Sequence, residues 1–177
     1  MHGKITQGWL AAGTKDEQSV TPDWQRIDRP SISGVVVKEI GHVVTRDGHL
    51  TELIRSEWLG DNRTIDQVFQ RTLDPGAISG WHAHVRTTDR LFCLSGRLLI
   101  VLCDGRIGSA TAAAVGEQVV SALRPTLIVV PPGVWHAVKN IGSESAILLN
   151  MVDIAYEYED PDHWRLPLDS DKIPYRF

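Results

Sequence analysis

Gly76-Ala77-Ile78-Ser79-Gly80-Trp81-His82-Ala83-His84, followed by Asp89 and then Gly96, is the stretch on which the fold of this chain turns. Residues two apart on a strand share a face, so His82 and His84 point one way while Trp81 and Ala83 point the other. Two imidazoles on one face, with the carboxylate of Asp89 soon after, describe the floor of a polar pocket.

A second segment, Pro131-Pro132-Gly133-Val134-Trp135-His136-Ala137-Val138-Lys139-Asn140, turns at Pro132-Gly133 and sends His136 into the next strand. Three imidazoles and one carboxylate then converge. An isolated histidine reads most simply as a satisfied core residue, but two separate segments delivering histidines together point to chemistry.

Around these segments, short β-rich runs alternate with turn signals from Gly34 onward, the spacing of a sandwich or barrel. Strands are expected at Val35 to Ile40, Leu50 to Arg55, Ile65 to Leu73, Ile78 to His84, Arg90 to Leu94 and Leu98 to Cys103. Others follow at Glu117 to Ala122, Leu127 to Val130, Trp135 to Asn140 and Ala146 to Val152. Asp47-Gly48, Pro75-Gly76, Ser95-Gly96, Asp104-Gly105 and Gly142-Ser143 supply further reversals, and the pattern reads as a β-meander closing on itself. Ala110 to Val115, rich in small residues, is a loop or a short helix. The expected organisation is all-β in a single domain: an arm over 1–33, a barrel over 34–155 and a tail over 156–177 packing on the barrel.

The 177 residues suffice for a core without disulfides or structural metal. Cys93 and Cys103 lack the spacing of a zinc site or a redox pair and read as reduced core residues. A formal net charge of -4 disfavours nucleic acid and acidic membranes as partners, leaving a small molecule. No apolar run approaches the roughly 20 residues of a membrane helix. The start, Met1 to Thr6, lacks the layout of a secretion signal, so the cytoplasm is the expected compartment.

The two histidine segments resemble the two cupin motifs, with Asp89 where most members have Glu and Pro125 in place of the leading glycine of the second. A closer resemblance, over Gly34 to Phe177, is to the dTDP-4-dehydrorhamnose 3,5-epimerase branch. It rests on Ile78-Ser79-Gly80-Trp81-His82, Asp89-Arg90-Leu91-Phe92 and Pro131-Pro132-Gly133-Val134-Trp135-His136. The resemblance implies a cupin jelly-roll barrel, a homodimer, and a metal-free enzyme that takes a proton from the carbon beside a ketone on a nucleotide-linked sugar. On it, His82 is the general base, Asp169 or Asp171 orients it, and Arg90 stands for the lysine that stabilises the enolate. His136, Arg86, Asn150 and Trp135 line the substrate. Arg86 has a second reading, as a surface charge, and Trp135 one as core packing. Asn150 falls near the branch's tyrosine acid, and Ser79 falls where the branch carries a phosphate-binding arginine.

His84 departs from the branch and restores the His-x-His of metal-binding cupins. The alternative is therefore a metal-dependent oxygenase or isomerase with His82, His84, Asp89 and His136 holding Zn, Fe, Mn or Ni. A third reading is a cupin that binds a small ligand without catalysis.

Overall fold

Strand periodicity sorts the side chains of this chain into an inner and an outer set, and that sorting positions the site. The structure, a computed structural model, describes residues 16–24, 27, 32–59 and 64–177. It divides into one unit of residues 1–30 and a second of residues 31–177. In the first unit the described residues make turns, with Trp24 N–H donating to the Thr21 carbonyl and Ile27 N–H to that of Ser19. Most of the arm expected over 1–33 lies outside the described residues.

The second unit runs β1 (Val36–Glu39), β2 (His42–Thr45), β3 (Gly48–Thr51), a 3-10 turn (Ser56–Trp58), β4 (Gln67–Leu73), β5 (Ile78–Ala83) and β6 (Asp89–Ser95). It continues through β7 (Arg97–Asp104), β8 (Val115–Ser121), β9 (Thr126–Val130), β10 (Val134–Asn140), β11 (Ala146–Val152) and β12 (Trp164–Arg165). One sheet has the order β1-β9-β6-β11-β4, the other β12-β5-β10-β7-β8, and β2-β3 forms a separate hairpin. All paired strands among the described residues are antiparallel.

This is a jelly roll and corrects the expected meander. Consecutive strands such as β4 and β5 lie in different sheets, because each sheet must bury one face against the other. Residues 110–113 are turns that lead into β8 at Val115, with Ala112 N–H on the Ser109 carbonyl and Ala114 N–H on that of Thr111. The expected strand at Leu50 to Arg55 is the end of β3 followed by irregular chain leading into the 3-10 turn.

Between the sheets, Leu73, Leu91, Leu98, Ile100, Ile128 and Leu148 form the core, each in the inward half of its strand. Cys93 is buried there, and Cys103 is buried on the outer face of the second sheet; both are free. That outer face is covered by the C-terminal segment, where Ile173, 1% exposed, packs with Trp81, Val101 and Ala137, and Tyr175 and Phe177 lie against them. No helix among the described residues is long and apolar enough to cross a membrane.

Candidate active site

The inward row of β6 passes from Leu91 in the apolar core to Asp89 at one end of the sandwich. The inward row of β10 likewise carries His136, and β5 contributes His82, paired in register with it. A bulge in the pairing between His136 and Val138 lets Ser79 and His82, an odd number apart, both face inward. The turn before β10 is tied to the same end, since Gly133 N–H donates to the His84 carbonyl at 2.7 Å. Gly133 has φ 79°, where a side chain is strained, and a Cβ there would stand 2.5 Å from Arg106 Cγ.

The pocket so formed is lined by His82, His84, Asp89, His136, Asn150 and His163, with Arg71, Arg86 and Tyr156 toward its open side. His82 is 8% exposed. Its Nε2 lies 3.2 Å from Ser79 Oγ and its Nδ1 2.7 Å from His163 Nε2. Burial, then the charges of His136, His163, Arg165 and Arg71, pull its pKa down to about 3, so the ring stays neutral at ordinary pH.

His84 and Asp89 behave oppositely. Burial pulls His84 down, but its hydrogen bond to Asp89, the Asp89 charge and the Asp162 carbonyl raise it above its ordinary value. Asp89 Oδ2 lies 3.2 Å from His84 Nε2 and 3.6 Å from His136 Nε2. Burial pushes Asp89 up, yet the hydrogen bond from His84, the His136 and His84 charges and the amide of Asn150 bring it to about 2. His136 is lowered, by burial first, and its Nδ1 donates to the Val134 carbonyl.

The structure relocates several residues read from the sequence. Asp169 and Asp171 are exposed and outside the pocket, and the group at His82 Nδ1 is His163. Arg90 does not face the pocket either, because with Asp89 inward its neighbour must point outward; its guanidinium sits 4.0 Å from Asp153. Trp135 alternates away from His136 and packs with the cluster around Trp81. Arg86 lines the pocket, paired with Glu157 at 3.5 Å. Asn150 lines it with its amide engaged on both sides, Nδ2 donating to Asp89 at 2.6 Å and Oδ1 accepting from Arg90 N–H.

Sequence reasoning missed Arg71 and His163. Arg71 is on the inward row of β4, a position that period-2 alternation from Leu73 supplies. His163 precedes a two-residue strand too short to carry a period.

His82, His84 and His136 of two strand segments, gathered with the Asp89 carboxylate at one end of an antiparallel jelly roll, define a cupin-type barrel. More specifically, the chain belongs to the family described as the polysaccharide biosynthesis C-terminal domain, whose model matches residues 44–164. A probable low-salt glycan biosynthesis epimerase of Haloferax volcanii is 34% identical over 143 residues, 79% of this chain and 90% of the relative. A solved dTDP sugar isomerase from Desulfovibrio desulfuricans superposes with TM-score 0.74 at 21% identity, covering 81% of this chain and 90% of the other. A 3'-monoepimerase from Streptomyces bikiniensis, solved with dTDP-quinovose, superposes at 0.72 and 23% identity, covering 82% and 76%. These likenesses show that the fold is shared with dTDP-sugar epimerases.

Proposed function

We propose that this chain is an epimerase or isomerase acting on a dTDP-linked 4-keto sugar, with His82 taking a proton from the carbon beside the carbonyl. The observation that carries this reading is the setting of His82: buried in the pocket wall, with Nε2 3.2 Å from Ser79 Oγ and Nδ1 2.7 Å from His163 Nε2, where burial favours the neutral ring. A neutral imidazole held in one orientation is what a general base for such a carbon acid requires. The Haloferax relative, named for glycan biosynthesis, and the dTDP-sugar enzymes of the same fold support the substrate class.

In this reading the C–H electrons become the enolate double bond and the carbonyl pair moves onto oxygen. Arg71, which lines the pocket and whose charge acts on His82, supplies the positive charge for that oxygen in place of Arg90. Arg86, on the rim, meets the diphosphate. Asp89, His84 and Asn150 form the fixed wall opposite. We place the enzyme in the cytoplasm as a homodimer; the edge strand β4 leaves Val68 55% exposed, a surface that pairing would cover. Sedimentation giving the mass of one chain would remove the dimer.

The test is incubation with dTDP-4-keto-6-deoxyglucose in D2O. Deuterium is expected at a carbon beside the ketone, and His82→Asn is expected to slow its uptake by roughly 10²–10⁴-fold while the nucleotide still binds. Binding without uptake of deuterium into this or related 4-keto sugars would leave a ligand-binding cupin.

A second reading rests on one cluster. Ligand atoms of His84, Asp89 and His136 lie within 4.8 Å of one another. Both histidines turn Nδ1 to a backbone carbonyl, the arrangement that presents Nε2 to a metal. These donors suit a divalent transition ion, which would polarise a bound carbonyl oxygen. His82 is outside the cluster. Metal analysis of protein purified without chelator decides between them: about one ion per chain, lost in His84→Ala, favours the metal reading, and none favours the metal-free base.

A further inference from the structure

β12 adds to the edge of β5 with Arg165 opposite His82 and Trp164 opposite Ala83. This pairing lays the two preceding residues, Asp162 and His163, alongside the His82-x-His84 segment. Asp162 acts through both of its ends. Its carboxylate accepts the backbone N–H groups of Val85, Arg86 and Thr87 at 2.8, 2.7 and 3.0 Å, and its carbonyl accepts His84 Nδ1–H. His163 places Nε2 2.7 Å from His82 Nδ1, with the rings edge to face at 79° and centroids 4.7 Å apart.

We infer that Asp162 and His163 are the positioning element for His82 and His84, and that His163 is the proton partner that fixes His82 in its basic tautomer. This rests on reading His82 as the base, and it assigns to an imidazole the place in which a carboxylate was expected.

Two imidazole nitrogens 2.7 Å apart share a single hydrogen. If it belongs to His82 Nδ1, then Nε2 of His82 is bare and takes the Ser79 hydroxyl hydrogen, or a substrate proton, into its lone pair. If it belongs to His163, the hydrogen of neutral His82 sits on Nε2 and no base faces the pocket. His163 as acceptor therefore sets the working tautomer.

During the reaction, His82 Nε2 gains the substrate proton, the Nδ1 hydrogen crosses to His163 Nε2, and His163 Nδ1–H is released to water at the half-buried side of its ring. Both rings end neutral with their tautomers exchanged, and one proton has left the pocket. Return of a proton from His82 to the face it left runs the same sequence backward and regenerates the starting configuration with solvent hydrogen, whereas inversion takes its proton from the opposite face of the enolate. A carboxylate in that place would hold an imidazolium but leave the charge where it formed.

The test uses the full chain and the variants His163→Ala and His163→Asp. Long-range 1H–15N spectra of the ring nitrogens, recorded without substrate, read the His82 tautomer directly. The expected result is Nδ1–H in the unaltered chain, loss of that fixed tautomer in His163→Ala, and its retention in His163→Asp, whose carboxylate accepts the same hydrogen. With dTDP-4-keto-6-deoxyglucose in D2O, kcat for deuterium uptake should fall on the order of 10–100-fold in His163→Ala with KM changed less than about twofold, and added imidazole should restore part of it. An unchanged His82 tautomer and unchanged kcat in His163→Ala would overturn the inference and leave His163 a packing residue. Tautomer dependence on residue 163 with no deuterium uptake in any chain would uphold the positioning role and remove the epimerase reading instead.

Discussion

Arg90 carries a permanent charge where there is almost no water: its side chain is 1% exposed and that of Asp153, 4.0 Å away, is 5% exposed. Removing one member of a buried pair leaves the other charge stranded, at a cost of about 3–5 kcal/mol. Arg90→Ala should therefore lower the unfolding free energy read from urea titration by an amount of that order, with a lower midpoint, while kcat per folded molecule stays within about twofold. A fall in kcat with the midpoint unchanged would return Arg90 to the enolate. His82, His84 and His136 were legible in the sequence because two turn-strand units fixed their directions. Arg90 was misplaced by a single position, and on a strand one position is the difference between pocket and outer face. Its neighbour Asp89, a metal ligand in the alternative sequence reading, is the inward residue, held between two histidines and Asn150. The partner of His82 was not legible, since nothing in Pro161-Asp162-His163-Trp164 has a periodicity to say which way a side chain points.

At the scale of strands, the site depends on how closely β5 and β10 approach. A Cβ placed on Gly80 would stand 2.3 Å from Ala137 Cβ and 2.7 Å from Ala137 Cα, so even one methyl group pushes two backbones apart. Gly80→Ala is expected to destabilise the fold by roughly 1–3 kcal/mol and, by shifting β5 against β10, to reduce deuterium uptake as well. Adding Ala137→Gly should recover part of the stability but not all, because the new methyl still presses on the backbone of β10; thermal unfolding of the two variants beside the unaltered chain reads this. Full recovery would show that only the clash between the two methyl groups mattered. Strand identities were legible where turn residues bracketed an apolar run, and β11 occupies the expected Ala146 to Val152. They were not legible at 42–55. There Thr45 and Gly48 flank a two-residue turn whose Thr45 hydroxyl is hydrogen-bonded to Asp47, and the apolar Leu53 and Ile54 pack onto the barrel without being strand.

The order of strands in the two sheets belongs to the whole molecule and has no local signature, which is why alternation alone read as a meander. The same global burial makes acid the natural stress on this protein. His82 has its pKa lowered from 6.5 to about 3 by burial and then by the charges of His136, His163 and Arg165, and burial also lowers His136 and His163. A group whose pKa is lower in the folded chain takes up its proton on unfolding. Below 6.5 the unfolded state therefore binds more protons and stability falls as pH falls, by up to about 1.4 kcal/mol per pH unit for each such histidine. His84 works the other way: the stability it lends is complete in acid and is lost as pH rises through its raised value. Asp89 and Asp162, held at about 2, keep their contribution until the pH drops below their ordinary 3.8. Three lowered histidines outweigh one that is raised, so urea midpoints should decline from pH 7 to pH 5, above the range in which Asp89 and Asp162 titrate. His82→Asn removes one of the three, and its stability should fall less steeply between pH 6 and 4, by up to about 1.4 kcal/mol per unit. Parallel slopes in the two proteins would mean that His82 titrates alike folded and unfolded, and the neutral base on which the proposed chemistry depends would be lost with that result.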